Sequence, residues 1–136
     1  MTQEEKQLLL IDLCGRLPYG VKVSNINAIH NGLDLPPFTI DISDYETSNP
    51  LIIINSWYLP WLRPMSSMTE EEKKVVCSMN MISDTELNDR LNYQRMYAQN
   101  YTIEAFDYFN EHHLDYRGLI PMGLALKAPE GMYKTE

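Results

Sequence analysis

Residues 2–18 of the chain, TQEEKQLLLIDLCGRLP, predict a helix whose start and end are both marked in the sequence. Thr2 and Glu5 have the spacing of a capping box, in which the hydroxyl and the carboxylate each accept a hydrogen bond from a free amide at the helix start. Pro18 ends the helix, because proline cannot continue it. We therefore expect a helix at residues 3–15.

Three strand-like runs follow, at residues 21–23, 38–43 and 51–54. The second alternates apolar and polar side chains, and the third is continuous and β-branched, which is typical of a buried strand. Turn-forming residues separate the runs. We expect a small antiparallel sheet of about three strands with 51–54 at its centre. Residues 57–64 contain two prolines and predict a rigid extended crossing rather than a regular strand.

The first helix has a broad apolar face that we expect to cover this sheet. The face carries Leu9, Leu10, Leu13, Cys14 and Leu17. The sheet residues expected to be buried under it are Ile40, Ile42, Ile52 and Ile54.

The C-terminal half is predicted to be helical, with helices at about 70–79, 84–97 and 103–114. Residues 119–126 predict at most a short turn of helix. Four methionines around the first of these helices suit the filling of irregular gaps in a core. These are Met65, Met68, Met79 and Met81. The fold class is therefore α+β, in a single domain spanning 1–136.

Composition narrows the classes of function. The 136 residues carry a formal charge of −8, spread over both halves, which repels nucleic acid and anionic membranes. No apolar run is long enough to span a bilayer, and the acidic N-terminus does not resemble a secretion signal. We expect a cytoplasmic protein. Cys14 and Cys77 form neither a disulfide framework nor a zinc pattern and are interpreted as buried apolar residues.

The predicted third helix of this half has two faces at about 100° per residue. Its acidic face carries Glu104, Asp107, Glu111 and Asp115, and its other face carries Phe106, Phe109, His113 and Tyr116. The acidic face is interpreted as solvated surface, and a docking face for a basic partner stays open.

Two adjacent histidines, His112 and His113, suggest a metal site only at first sight. Adjacent residues of a regular helix point about 100° apart and cannot chelate one ion. We expect His113 to be buried and hydrogen-bonded and His112 to lie on the surface. The sequence contains no nucleophile, phosphate-binding or metalloprotease motif, so we predict no catalytic residue, no metal site and no cofactor.

Aromatic residues are frequent, and three tyrosines recur every fourth residue at Tyr93, Tyr97 and Tyr101. Core packing accounts for such a row. Exposed together with Trp57 or Trp61, the aromatic residues would instead form a binding surface.

Arg63 and Arg117 each lie among apolar neighbours where one element ends and another begins. A guanidinium in such a place needs a carboxylate or carbonyl partner. One interpretation is that each arginine ties a loop to Asp115, to Asp107 or to a helix C-terminus. The other is that one arginine remains unpaired in a cleft and binds an anionic ligand.

Four strings together resemble an uncharacterised family of small Bacteroidales proteins found in prophages and mobile elements. They are LCGRLPYGV at 13–21, LRPMSSMTEEE at 62–72, HLDYRGLI at 113–120 and GLALKAPEGMY at 123–133. Residues 77–101 depart from the family. The resemblance brings no activity with it. It implies a phage-associated accessory protein that acts inside a bacterial host.

Two hypotheses of function stay open. One is a non-enzymatic protein that binds a protein partner, with a basic host or defence component as the candidate, and that binds neither nucleic acid nor membrane. The other is a binder of a small anionic, nucleotide-like ligand, or a minor hydrolase. The binding residues expected under these hypotheses are Trp57, Trp61, Arg63, His113, Asp115 and Arg117.

Overall fold

The computed structural model of the protein describes residues 1–33, 35–42, 49–92 and 100–133. It confirms the predicted α+β class, with an N-terminal helix, a small sheet and a C-terminal half that contains several helices. The elements are α1 (Gln3–Arg16), β1 (Val21–Asn25), α2 (Ile26–His30), β2 (Phe38–Ile40), α3 (Pro50–Asn55), β3 (Tyr58–Leu62), α4 (Glu70–Asn80), α5 (Asp84–Asn92), α6 (Ile103–Glu111) and β4 (Leu126–Lys127).

The sheet has the strand order β2-β1-β3-β4. β1 is antiparallel to both β2 and β3, and the short β4 runs parallel to β3. The sheet is therefore mixed, and its parallel pair joins the C-terminal end of the chain to its centre.

Two neighbouring segments adopt a secondary structure that differs from the predicted one. The run 51–54, predicted as the central strand, lies in helix α3, and β3 falls in the segment predicted as an irregular crossing. Asn49 explains the helix, because its side chain accepts from the Leu51 amide at 3.0 Å and Pro50 occupies the first turn. The predicted central strand was wrong because four apolar residues fit a short buried helix equally well.

The prediction of the buried isoleucines is half correct. Ile40 and Ile54 are buried, whereas Ile42 and Ile52 are 66% and 59% exposed. β2 ends at Ile40, and in a helix alternate residues do not share a face, so Ile53 and Ile54 face inward. Leu9 and Leu13 of α1 are fully buried over the sheet, with Leu10 and Leu17 packed beside them.

The C-terminal helices begin where their caps predict. Thr69 and Glu72 form both hydrogen bonds of a capping box at α4, and the Thr102 hydroxyl accepts from the Ala105 amide at α6. The predicted helix 84–97 is α5 up to Asn92, and its remainder, with Tyr93 and Tyr97, lies outside the residues that the structure describes. α6 ends at Glu111, three residues earlier than predicted. Residues 119–123 form turns, and β4 begins at Leu126.

A second core lies between α4, α5 and α6 around Phe109, Leu87 and Leu114. Met65 and Met68 are buried in it, whereas Met81 ends α4 in a left-handed conformation and is 93% exposed. The prediction that Met81 fills a gap in a core is therefore wrong. Cys77 is buried as predicted, but Cys14 lies on the exposed side of α1. Within the described ranges, no helix combines the length and the apolar character needed to cross a membrane.

Leu13→Ala should lower the free energy of unfolding by roughly 2–5 kcal/mol, because it opens a cavity in a fully buried site. Ile11→Ala on the same helix is the matched control, since Ile11 is 49% exposed, and it should cost less than about 0.5 kcal/mol. Urea melts measure both. A loss below about 1 kcal/mol for Leu13→Ala would contradict the packing of α1 on the sheet.

Candidate functional site

Four of the six predicted binding residues meet where β3 ends. The Arg63 amide donates to the His113 carbonyl and the Asp115 amide donates to the Arg63 carbonyl, both at 2.8 Å. This parallel bridge brings the backbones of Arg63, His113 and Asp115 together, and Trp61 lies two residues before Arg63 on β3. Trp57 lies at the other end of β3, and the Arg117 side chain extends toward α1.

Arg63 is paired with a carboxylate. Its guanidinium donates to both Glu72 oxygens, at 2.9 and 2.7 Å, and to the Ser67 carbonyl at 3.2 Å. Burial alone would raise the pKa of Glu72, but the Arg63 and Thr69 hydrogen bonds hold that pKa below its usual range. Arg63 therefore fastens the segment after β3 to the start of α4.

Arg117 belongs to a buried ionic cluster on α1. It donates to Asp12 Oδ1 at 2.9 Å, and Arg16 binds the same carboxylate through Nε at 2.8 Å and Nη2 at 3.1 Å. Arg16 also donates to the Leu114 carbonyl at 2.7 Å, and both arginine planes lie over the Tyr116 ring. Both arginines singled out from the sequence are thus paired, but with Glu72 and Asp12 rather than with the predicted carboxylates.

Sequence reasoning did not identify Asp12 and Arg16 as important residues. The available signal was their spacing of four, on the same helix face as Leu9 and Leu13. Both side chains are completely buried. Desolvation alone would lower the pKa of Arg16, but the adjacent Asp12 carboxylate raises it above its usual value.

Asp115 was predicted to be part of an exposed acidic face and is instead buried. It comes after the end of α6, so the helical angle does not apply to it. Its carboxylate accepts from the Leu119 amide at 2.8 Å and from the Ile120 amide at 2.9 Å, and burial raises its pKa. The exposed acidic face of α6 consists of Glu104, Asp107 and Glu111.

His113 is buried, as predicted, but its Nδ1 lacks the expected hydrogen-bond partner among the described residues. Its backbone is left-handed, with a φ of 58°. Its ring stacks on Tyr133 with the centroids 3.9 Å apart. Burial, followed by the charges of Arg16, His112 and Arg63, lowers the pKa of His113 to about 3, so the ring is neutral at pH 7.

The Tyr133 hydroxyl lies between two strands of the sheet. It donates to the Trp61 carbonyl at 2.7 Å and accepts from the Lys22 amide at 2.9 Å. The β1–β3 register ends at Val23 and Pro60, so Lys22 and Trp61 would form its next pair. The tyrosine therefore replaces a direct ladder hydrogen bond. The Trp61 indole is also engaged, because Nε1 donates to Ser24 Oγ at 2.8 Å.

Among the residues that the structure describes, no three His, Cys, Asp or Glu side chains gather where they could share a metal ion. His112 follows the end of α6, half-buried, with Nδ1 3.9 Å from Glu72 Oε2. The left-handed backbone at His113 means that the two histidines are not on one regular helix, which the angular argument had assumed.

Trp57 is the predicted site residue that remains exposed, at 54%. It lies beside α2, where the Ile26 amide donates to its carbonyl, and Phe38 packs edge-on against the neighbouring Tyr58 at 5.3 Å. We call this apolar surface the α2–β2 corner, formed by Ile29, Leu33, Leu35, Phe38 and Trp57, all of which are at least 39% exposed. Tyr101, by contrast, packs against Phe109 in the second core.

Comparisons with protein-family models, with curated proteins and with solved structures gave no match to this chain.

Removing the guanidinium of Arg16 or of Arg63 should destabilise the protein. Arg16→Met leaves Asp12 without its main partner and should cost about 3–5 kcal/mol, and Arg63→Met should cost about 1.5–3 kcal/mol. Lys127→Met, an exposed cation near Arg63, is the control and should stay within about 0.5 kcal/mol. Urea melts report all three. An Arg63→Met protein as stable as the wild type would contradict a structural function for the Arg63–Glu72 pair.

The stability should fall as the pH is lowered from 7 to 5. In the unfolded chain the pKa of His113 is near 6.5, whereas in the native state this pKa is about 3. Stability is therefore lost below the unfolded pKa, by about 2 kcal/mol at pH 5. His113→Asn should remove this part of the dependence of the free energy of unfolding on pH, and asparagine tolerates the left-handed backbone. The contributions of the carboxyl groups are the same in both proteins and cancel in the comparison. Equal pH slopes for the two proteins in urea melts would contradict the buried neutral histidine.

Proposed function

We propose that the protein is a phage- or mobile-element-associated accessory protein that acts in the cytoplasm of a bacterial host by binding another protein. The exposed α2–β2 corner is the observation that carries the proposal. Five large apolar side chains, one of them tryptophan, are exposed on the segments that adjoin the end of β1. Exposed apolar and aromatic side chains of this kind supply the central contacts of protein interfaces.

Charge indicates the kind of partner. From residue 23 to residue 62 the sequence contains neither lysine nor arginine, while it contains Asp34, Asp41, Asp44 and Glu46. The segment that carries the corner therefore contains acidic residues and neither lysine nor arginine. A partner with a basic rim and an apolar centre is complementary to it, and nucleic acid or an anionic membrane is repelled.

The sequence resemblance supplies the cellular context, a phage accessory protein that meets a host or defence component. The alternative, an anionic-ligand binder or minor hydrolase built on Arg63 and Arg117, is less well supported. Both guanidiniums are already bound to carboxylates, and Arg117 lies against α1 rather than beside Arg63.

The proposal is tested by affinity capture from a Bacteroidales lysate with the wild-type chain and matched surface variants. Trp57→Asn and Leu35→Ser remove corner side chains that are 54% and 62% exposed, and asparagine suits the left-handed backbone at residue 57. Met81→Ser and Ile103→Ser are the controls, because these residues are 93% and 79% exposed elsewhere on the molecule. We expect a basic protein to be retained by the wild type and by the controls.

The same protein should be depleted at least about tenfold by either corner variant, and high salt should weaken its capture. Thermal melts of all the variants verify that they are folded. Capture that survives both corner substitutions would place the interface elsewhere. The absence of any captured protein that distinguishes corner variants from controls would contradict the proposed function.

A further inference from the structure

A cavity of about 370 Å³ opens at the other end of β1 from the corner. Its walls come from the turn after α1, from the paired strands β1 and β2, from the end of α6 and from the C-terminal segment. Its lining comprises Tyr19, Gly20, Lys22, Thr39, Glu111, His112, His113, Met132 and Tyr133. The volume lies within the range of small-molecule sites, about 300–1,000 Å³.

Lys22 supplies the cavity with a cation that pairs with no carboxylate in the part of the chain that the structure describes. Among the described residues, the only polar partner of its ammonium group is the Thr39 hydroxyl, 3.5 Å away across the strand pair. Arg16, Arg63 and Arg117, by contrast, are all fastened to Asp12 or Glu72. Lys22 is therefore available to pair with an anion in the cavity.

His113 is the second polar group that the fold leaves unsatisfied. Its side chain is only 6% exposed, and its Nδ1 lacks a hydrogen-bond partner among the described residues. The residue adopts a left-handed conformation, with a φ of 58°, that histidine tolerates better than most residues. An unpaired buried nitrogen at a cavity wall is a feature that requires an explanation, and such features occur at ligand sites.

The lining also limits the class of ligand. One lysine provides one full positive charge, and Glu111 on the same lining opposes a second negative charge on the ligand. A monoanion is thus favoured over a phosphate dianion. Tyr19, Met132 and the Tyr133 ring supply apolar and aromatic surface for the rest of the molecule.

We propose that this cavity binds a small aromatic or apolar monocarboxylate, with the carboxylate on Lys22 and the body of the ligand against Tyr19, Met132 and Tyr133. Thr39 provides a further polar contact, and His113 forms part of the cavity wall. The proposal goes beyond the protein-binding function and does not depend on it, because the corner and the cavity share no residue.

The test is an NMR titration of the full chain with millimolar benzoate. Benzoate should shift the resonances of Lys22, Thr39 and the His113 ring, whereas benzamide and benzylamine, which lack the negative charge, should not. Lys22→Met should weaken benzoate binding at least about tenfold, and Lys22→Arg should retain it. Lys127→Met removes an exposed lysine outside the cavity and should bind as the wild type does.

Lys22→Met should fold normally, because the ammonium group makes a single long polar contact. A thermal melt and an amide spectrum of the variant that match those of the wild type verify this. The proposal is overturned if benzoate leaves these resonances unmoved, if benzamide binds equally well, or if Lys22→Met binds like the wild type. Inorganic phosphate binding more tightly than benzoate would overturn the assignment to a monocarboxylate.

Discussion

The architecture depends on the buried ion pair between Asp12 and Arg16. Arg16 is fully buried at the end of α1 and donates to the carboxylate of Asp12 and to the carbonyl of Leu114. Such a pair adds little net stability, because desolvation offsets its attraction, but an incomplete pair is costly. The fold must therefore bring residue 114 to the end of α1. That segment then forms its backbone bridge with Arg63, which positions the end of β3.

Local signals in the sequence predicted the helix starts well. The capping boxes at Thr2 and Thr69 depend on residues three apart, so their chemistry is complete in the sequence. The position of β3, by contrast, is decided by its longer-range pairing with β1. Pro60 is acceptable in β3 because its missing amide falls where β1 requires no hydrogen bond, and nothing local to Pro60 reveals that register.

The site was harder to predict for the same reason. Tyr133 reaches the Lys22 amide across 111 residues and stacks on His113, and no spacing in the sequence anticipates either contact. His113 was correctly expected to be buried, but the hydrogen bond expected for it depended on neighbours that only the tertiary structure supplies. Arg63 and Arg117 were correctly expected to need partners, because that need is a property of the buried charge itself.

β1 links the two candidate surfaces and keeps them apart. Lys22 lies at the cavity and Asn25 leads into the α2–β2 corner, about 10 Å away at the rise of an extended strand. Val21 and Val23 between and beside them are fully buried, so the strand cannot shift without exposing core. Lys22 is also the last cation before Arg63 in the sequence. The strand therefore keeps Lys22 and the cavity apart from the exposed apolar residues of the corner, and the two candidate surfaces share no residue.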